Sequence, residues 1–180
     1  GGDLDMSKRG HTATLITAAL VTLVELGATL SGQGGDPVDL VAGWAPTRPG
    51  DIWAIILTAV GCAALFVISR FPLIALLTSS AAYIVFIMRD YEFGMTLPAM
   101  VAIFIVAAGS RGRFTALTAA LMCLTATAVW IFMRTATITD SGVAILVWVA
   151  FGTVSAAFFF LPALFGELVR LRRLTAESKI

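Results

Sequence analysis

The chain alternates long apolar stretches with short charged or turn-rich ones, and the apolar stretches fall at 12–30, 52–69, 71–88, 95–109, 114–133 and 143–165. An α-helix rises about 1.5 Å per residue and needs about 20 residues to cross about 30 Å of hydrocarbon. Five of the six stretches suit that length, and the fourth is short. Pro98 belongs to the first turn of the fourth stretch, where a missing N–H costs little, which predicts a helix start at Phe93 or Gly94. Most connections are short, so consecutive helices pack as antiparallel hairpins. The predicted fold is an all-α integral membrane protein, a six-transmembrane-helix bundle whose last helix extends into the cytoplasm.

Composition points to the same solvent. Hydrophobic residues make up 59% of the 180 positions and charged residues only 13%, against about 25% charged in a soluble domain. The distribution of charge then sets orientation. Counted over alternate loops, Lys8, Arg9, Arg70, Arg111, Arg113, Arg170, Arg172, Arg173 and Lys179 lie on one side, and only Arg48, Arg89 and Arg134 on the other. The positive-inside rule places the first side, with both termini, in the cytoplasm. Trp44, Trp53, Tyr91, Trp130 and Trp148 fall toward the outer side, where an aromatic belt is expected. The chain is therefore expected in the cell membrane as a multi-pass protein.

Residues 1–5, "GGDLD", precede "MSKRG", which reads as a native start, so they are taken as an appended extension. Residues 6–165 form the membrane domain and 166–180 a cytoplasmic helical stub. The first span contains Glu25 and has no persuasive cleavage site, so it is read as a retained helix and not a signal peptide.

Candidate chemistry is sparse. His11 stands alone, and Cys62 and Cys123 read as small packing residues within spans. Nothing resembles a phosphate loop, a nucleophile with its base, or a basic stretch interleaved with aromatics. No catalytic residue, metal, cofactor or nucleic-acid partner is expected. Glu25 stands out, because an ionisable group inside a span costs a few kcal/mol unless it finds a partner, water or a proton. It shares a helical stripe with Thr14, Ala18, Thr22 and Thr29, the face expected to pack inward. Two readings stay open for it: an externally accessible polar pocket or proton-sensitive switch, and a buried helix–helix hydrogen bond.

The outer side also carries Asp36, Asp39, Asp51, Asp90, Glu92 and Asp140. Glu25, Thr22, Thr29, Asp36, Asp39, Arg89, Asp90, Glu92 and Arg134 are the candidate ligand or sensing residues. The longest connection, "SGQGGDPVDLVAGWAPTRPG", holds a short apolar patch from Val38 to Trp44. That patch suits an interfacial segment, and the whole loop suits either a solvated connection or a lid over the outer mouth. On the inner side, Arg70-Phe71 and Arg113-Phe114 open alternate spans in the manner of a faint repeat. Pro162 removes the hydrogen bond to the Phe158 carbonyl and predicts a bend late in the last span.

Leu161, Leu164, Leu168 and Leu171 recur in heptad-like steps from the last span into the tail. Glu167, Arg170, Arg172 and Arg173 surround the cytoplasmic part with charge, in part as anchors to anionic lipid. With Gly152-x-x-x-Ala156, the seam suggests a parallel homodimer.

"VAAGSRGRFTAL" at 106–117 and "LPALFGELVRLRRLTAESKI" at 161–180 resemble the amino-terminal membrane region of actinobacterial sensor histidine kinases. The resemblance implies a sensor domain that passes a signal through Pro162, Glu167, Leu168, Leu171 and Arg172 to a kinase core, which itself engages a response regulator. No kinase motifs occur in this chain, so the resemblance implies a role and no catalytic residues. The alternative is a small transporter or channel-like protein using the stripe around Glu25.

Overall fold

The computed structural model describes residues 2–32, 39–109 and 112–178, with side chains from residue 8 onward. Asp36, Arg111 and Lys179 lie outside the described residues. Six helices account for most of the chain: α1 (Gly2–Ser31), α2 (Ile52–Phe66), α3 (Pro72–Met88), α4 (Leu97–Ala108), α5 (Arg113–Thr135) and α6 (Ser141–Ser178). Three of them are long and apolar enough to cross a membrane, namely α1 over Lys8–Ser31, α5 and α6. The other three are 15, 17 and 12 residues long, and the last of these spans only about 18 Å.

The fourth helix departs most from expectation. It starts at Leu97 and not at Phe93 or Gly94, because the backbone at Met95 takes a positive φ of 59° and breaks the helical path. Pro98 still sits in its first turn. α4 occupies the centre of the bundle, packed on α3, α5 and α6 and touching α2 and α1. Its buried residues Pro98, Ala99, Ala102, Ile103, Val106, Ala107 and Ala108 follow helical spacing and are mostly small, which lets neighbouring backbones come close. At Gly166 of α6 the approach is closest: a Cβ there would lie 2.6 Å from the Ala107 Cβ and 2.7 Å from the Phe104 carbonyl oxygen.

Around this centre the larger helices show one buried stripe each. On α5 it runs through Ala116, Ala119, Ala120, Cys123, Thr127, Trp130 and Arg134. The Tyr83 hydroxyl of α3 meets the Thr127 hydroxyl at 2.5 Å, pairing two polar groups that would otherwise be orphaned in the core. On α1 the stripe of Thr14, Ala18, Thr22, Glu25 and Thr29 faces inward as its spacing predicts, with Ala18 and Glu25 buried. α6 buries only Val147, Ser155, Phe159 and Gly166 along 38 residues, and it continues through Pro162 without interruption.

Candidate functional site

The bundle has two chemically distinct ends. One gathers the tryptophans and the 39–51 and 89–96 segments. The other gathers Arg70, Arg113, Arg170 and Arg173.

At the tryptophan end the first long connection folds over the helix ends. Trp44 is buried, packing edge-on against Trp130 at 5.8 Å and beside Phe151 at 5.7 Å. Gly43 makes the insertion possible, with φ at +84° and no room for a side chain, since a Cβ would lie 2.8 Å from the Thr137 carbonyl oxygen. The Ala45 amide donates to the Arg134 carbonyl (3.0 Å), and the Thr137 hydroxyl to the Gly43 carbonyl (2.6 Å). The buried Arg134 guanidinium donates to the Ala45 and Pro46 carbonyls and pairs with Asp90 at 2.9 Å. The described part of the 38–44 patch is thus tucked into the bundle and does not lie flat. The belt expectation needs the same correction for Trp44, Tyr91 and Trp130, which are buried, while Trp53 and Trp148 remain exposed. Their polar atoms find protein partners: Trp130 Nε1 donates to the Tyr91 carbonyl (2.9 Å), and the Tyr91 hydroxyl donates to Asp51.

Asp51 caps α2, its Oδ1 accepting from the Trp53 and Ala54 amides at 3.1 and 3.2 Å. Arg89 lies 3.6 Å from the same carboxylate and donates to the Tyr91 oxygen at 3.0 Å. The Tyr91 hydrogen bond above all, with the amides and Arg89, holds the Asp51 carboxyl below its ordinary range. Arg48 ties the two segments together, its amide donating to the Asp90 carbonyl and its Nε to the Arg89 carbonyl at 2.9 Å. Arg89, Asp90 and Arg134 are therefore engaged with neighbouring protein groups. Asp39 is exposed.

Beside this knot lies a cleft of about 580 Å³ between α1, the 48–50 turn and the 91–97 segment. Of the expected sensing residues, Glu25, Thr29 and Glu92 line it. Arg48, Phe93 and Phe158 complete its walls. Glu25 Oε1 accepts from the Leu97 amide at 3.3 Å. That amide belongs to the first residue of α4, and Thr96 before it offers no side-chain cap. Because α4 begins inside the protein, its first N–H groups have no water to turn to, and a carboxylate on a neighbouring helix satisfies one while opposing the positive end of the helix dipole. Thr29 bonds the Thr58 hydroxyl at 3.1 Å. Thr22 bonds back to the Ala18 carbonyl and takes no part in the cleft.

At the arginine end α4 is capped again. Arg173 Nη2 of α6 donates to the carbonyl of Ala108, the last residue of α4, at 2.6 Å. Cations there complement the negative end of the dipole. One turn away, Glu167 takes both of its bonds from Arg170, at 2.5 and 3.2 Å, and lies 3.6 Å from Arg113. Arg113 stacks over Phe114 at 4.8 Å and Arg70 over Phe71 at 5.4 Å, so the two similar turns share a local geometry. Leu161, Leu164, Leu168 and Leu171 are all exposed, as is Arg172, while Pro162 is half-buried.

The sequence marked Glu25 but not its partner, since a backbone amide 72 positions away leaves no trace in composition. Arg173 and Gly166 were legible only as members of an Arg-Arg pair and of a Leu-rich run. Comparison with protein-family models, with curated proteins and with solved structures gave no match.

Proposed function

We propose that the chain is a membrane signal-input domain that couples its tryptophan end to the emerging part of α6. In this reading all six helices traverse the bilayer, the short ones completed by the non-helical segments at 67–71 and 89–96. Both termini face the cytoplasm, and α6 drives a kinase core of the two-component type, as a parallel homodimer through its exposed leucines.

One observation carries the reading. The central helix α4 is held by charged side chains at both ends, by Glu25 in the wall of the cleft and by Arg173 on α6. Twelve residues form a stiff rod of about 18 Å between them. A ligand or proton that changes how Glu25 holds the first turn of α4 moves a rod whose other end is bonded to the helix that leaves the bundle.

The test uses register. With a kinase module joined after Ile180, one-residue insertions after Leu174 rotate everything beyond by about 100°, and seven residues nearly restore the phase. Signalling scrambled by one to four residues and recovered at seven is the expected result. A smooth decline with length contradicts it. The cleft beside Glu25 also favours a second reading, a small transporter, which requires solute flux in liposomes containing this chain alone.

A further inference from the structure

A second concavity of about 420 Å³ lies between α5 and α6 at the arginine end. Its walls are Phe114 and Leu117 of α5 and Phe160, Leu161 and Leu164 of α6, with Arg113 and Glu167 at its polar end. All five apolar side chains are exposed, Phe114 at 71%. In water such a groove would be a liability; beside a bilayer it is filled by hydrocarbon.

Charge decides which hydrocarbon. Glu167 is shared between two guanidinium groups, so the cluster with Arg113 and Arg170 carries one positive charge in excess. Arg170 already takes both carboxylate oxygens, at 2.5 and 3.2 Å. Arg113 reaches Glu167 only at 3.6 Å, beyond good hydrogen-bond range, and its side chain is 48% exposed. Its stacking over the Phe114 ring fixes the guanidinium plane at the mouth of the groove. A planar fork of donors with an uncompensated charge suits a phosphate, which accepts two parallel bonds from it.

We propose that this groove is a binding site for one anionic phospholipid, with its phosphodiester on Arg113 and an acyl chain along Phe114, Leu117 and Leu164. The inference rests on α5 and α6 spanning the membrane, and it adds a ligand that the signalling reading does not need. Bound phosphate draws Arg113 away from Glu167, one residue from the tight crossing at Gly166, so occupancy bears on the position of the α6 exit.

The experiment measures retention of phosphatidylglycerol against phosphatidylcholine by the full chain, using native mass spectrometry from mixed-lipid nanodiscs. The wild type should favour phosphatidylglycerol about fivefold, the scale of one basic group at an anionic surface. Arg113→Gln should abolish the preference, while Arg70→Gln, at the similar turn on α3, should leave it intact. Leu117→Trp, which fills the groove, should lower retention of both lipids. Circular dichroism and the Tm of each variant identify loss of fold, and Arg113→Lys retains the charge where Gln does not fold. A preference unchanged in Arg113→Gln, or lost equally in Arg70→Gln, overturns the site. Displacement by glycerol phosphate as effective as by the intact lipid would remove the acyl chain from the proposal. Failure of the chain to enter nanodiscs at all would instead contradict the membrane reading.

Discussion

α4 and α6 are the shortest and longest helices, at 12 and 38 residues, and they pack on each other more than any other pair. α4 is solvated by protein. It is lined with small residues, starts and ends inside the bundle, and borrows its caps from α1 and α6. α6 is solvated by lipid and water, with exposed leucines along most of its length and only four buried side chains. The difference shows what each helix must borrow. A helix that ends in the interior depends on charged groups elsewhere in the chain, whereas one that runs out of the bundle needs only a close seam at the points of contact.

The seam is where the comparison breaks most easily. Gly166→Val should cost about 3 kcal/mol, because its side chain would collide with the backbone of α4 as well as with Ala107. Unfolding in bilayer discs measures this directly. The same change at Gly152, which has open space around it, should stay within about 0.5 kcal/mol in the monomer. Cross-linking through cysteines at Leu168 or Leu171 then isolates any effect of Gly152→Val on a dimer, and a strictly monomeric chain would remove the dimer from the reading.

Arg134→Ala ranks next, at about 2 to 4 kcal/mol, since it strands Asp90 and two loop carbonyls. Limited proteolysis between 39 and 51 should accelerate. Equal protease resistance would mean that Trp44 alone anchors the segment.

At the cap on α4, Glu25→Ala should cost about 1 kcal/mol, the scale of a lost N-cap, and Glu25→Gln less, because the amide oxygen still accepts from Leu97. Identical thermal shifts for both variants would argue against the hydrogen bond. A pH-dependent signal that survives in Glu25→Gln would return Glu25 to a packing role.

The smallest effect concerns Asp51. Its folded pKa lies below the ordinary value, so its contribution to stability is complete above that value and is lost as pH falls through the lower, folded one. Hydrogen exchange at Trp53 and Ala54 should therefore stay slow until the pH drops below about 4, and Tyr91→Phe should move that onset upward. An onset unchanged by Tyr91→Phe would separate Asp51 from Tyr91.

Helix existence was legible because it depends on hydrophobic runs that the sequence displays directly. The inward stripe on α1 was legible for the same reason, through spacing. The uniform six-span picture was not, since the start of α4 is set by the backbone at Met95 and by a carboxylate on another helix. Trp44 illustrates the same limit: its apolar neighbourhood reads equally as an interfacial patch or a plug. Its burial depends on Gly43 and on Thr137 and Arg134 far along the chain. The charges of Arg89, Asp90 and Arg134 suggested a ligand surface, but their partners were one another's loops.

The central claim is that α4 carries the state of the cleft to the exit of α6. Spin labels at Ser69 and Leu171, both exposed, with Cys62 and Cys123 replaced by Ala, report the position of that exit by electron–electron distance measurement in nanodiscs. Glu25→Ala, which frees the first turn of α4, should shift or broaden the Ser69–Leu171 distance distribution, and Arg173→Gln should reproduce the change without touching the cleft. A distribution identical to that of the unmutated protein in both variants would contradict the coupling and leave α4 as structural filling alone.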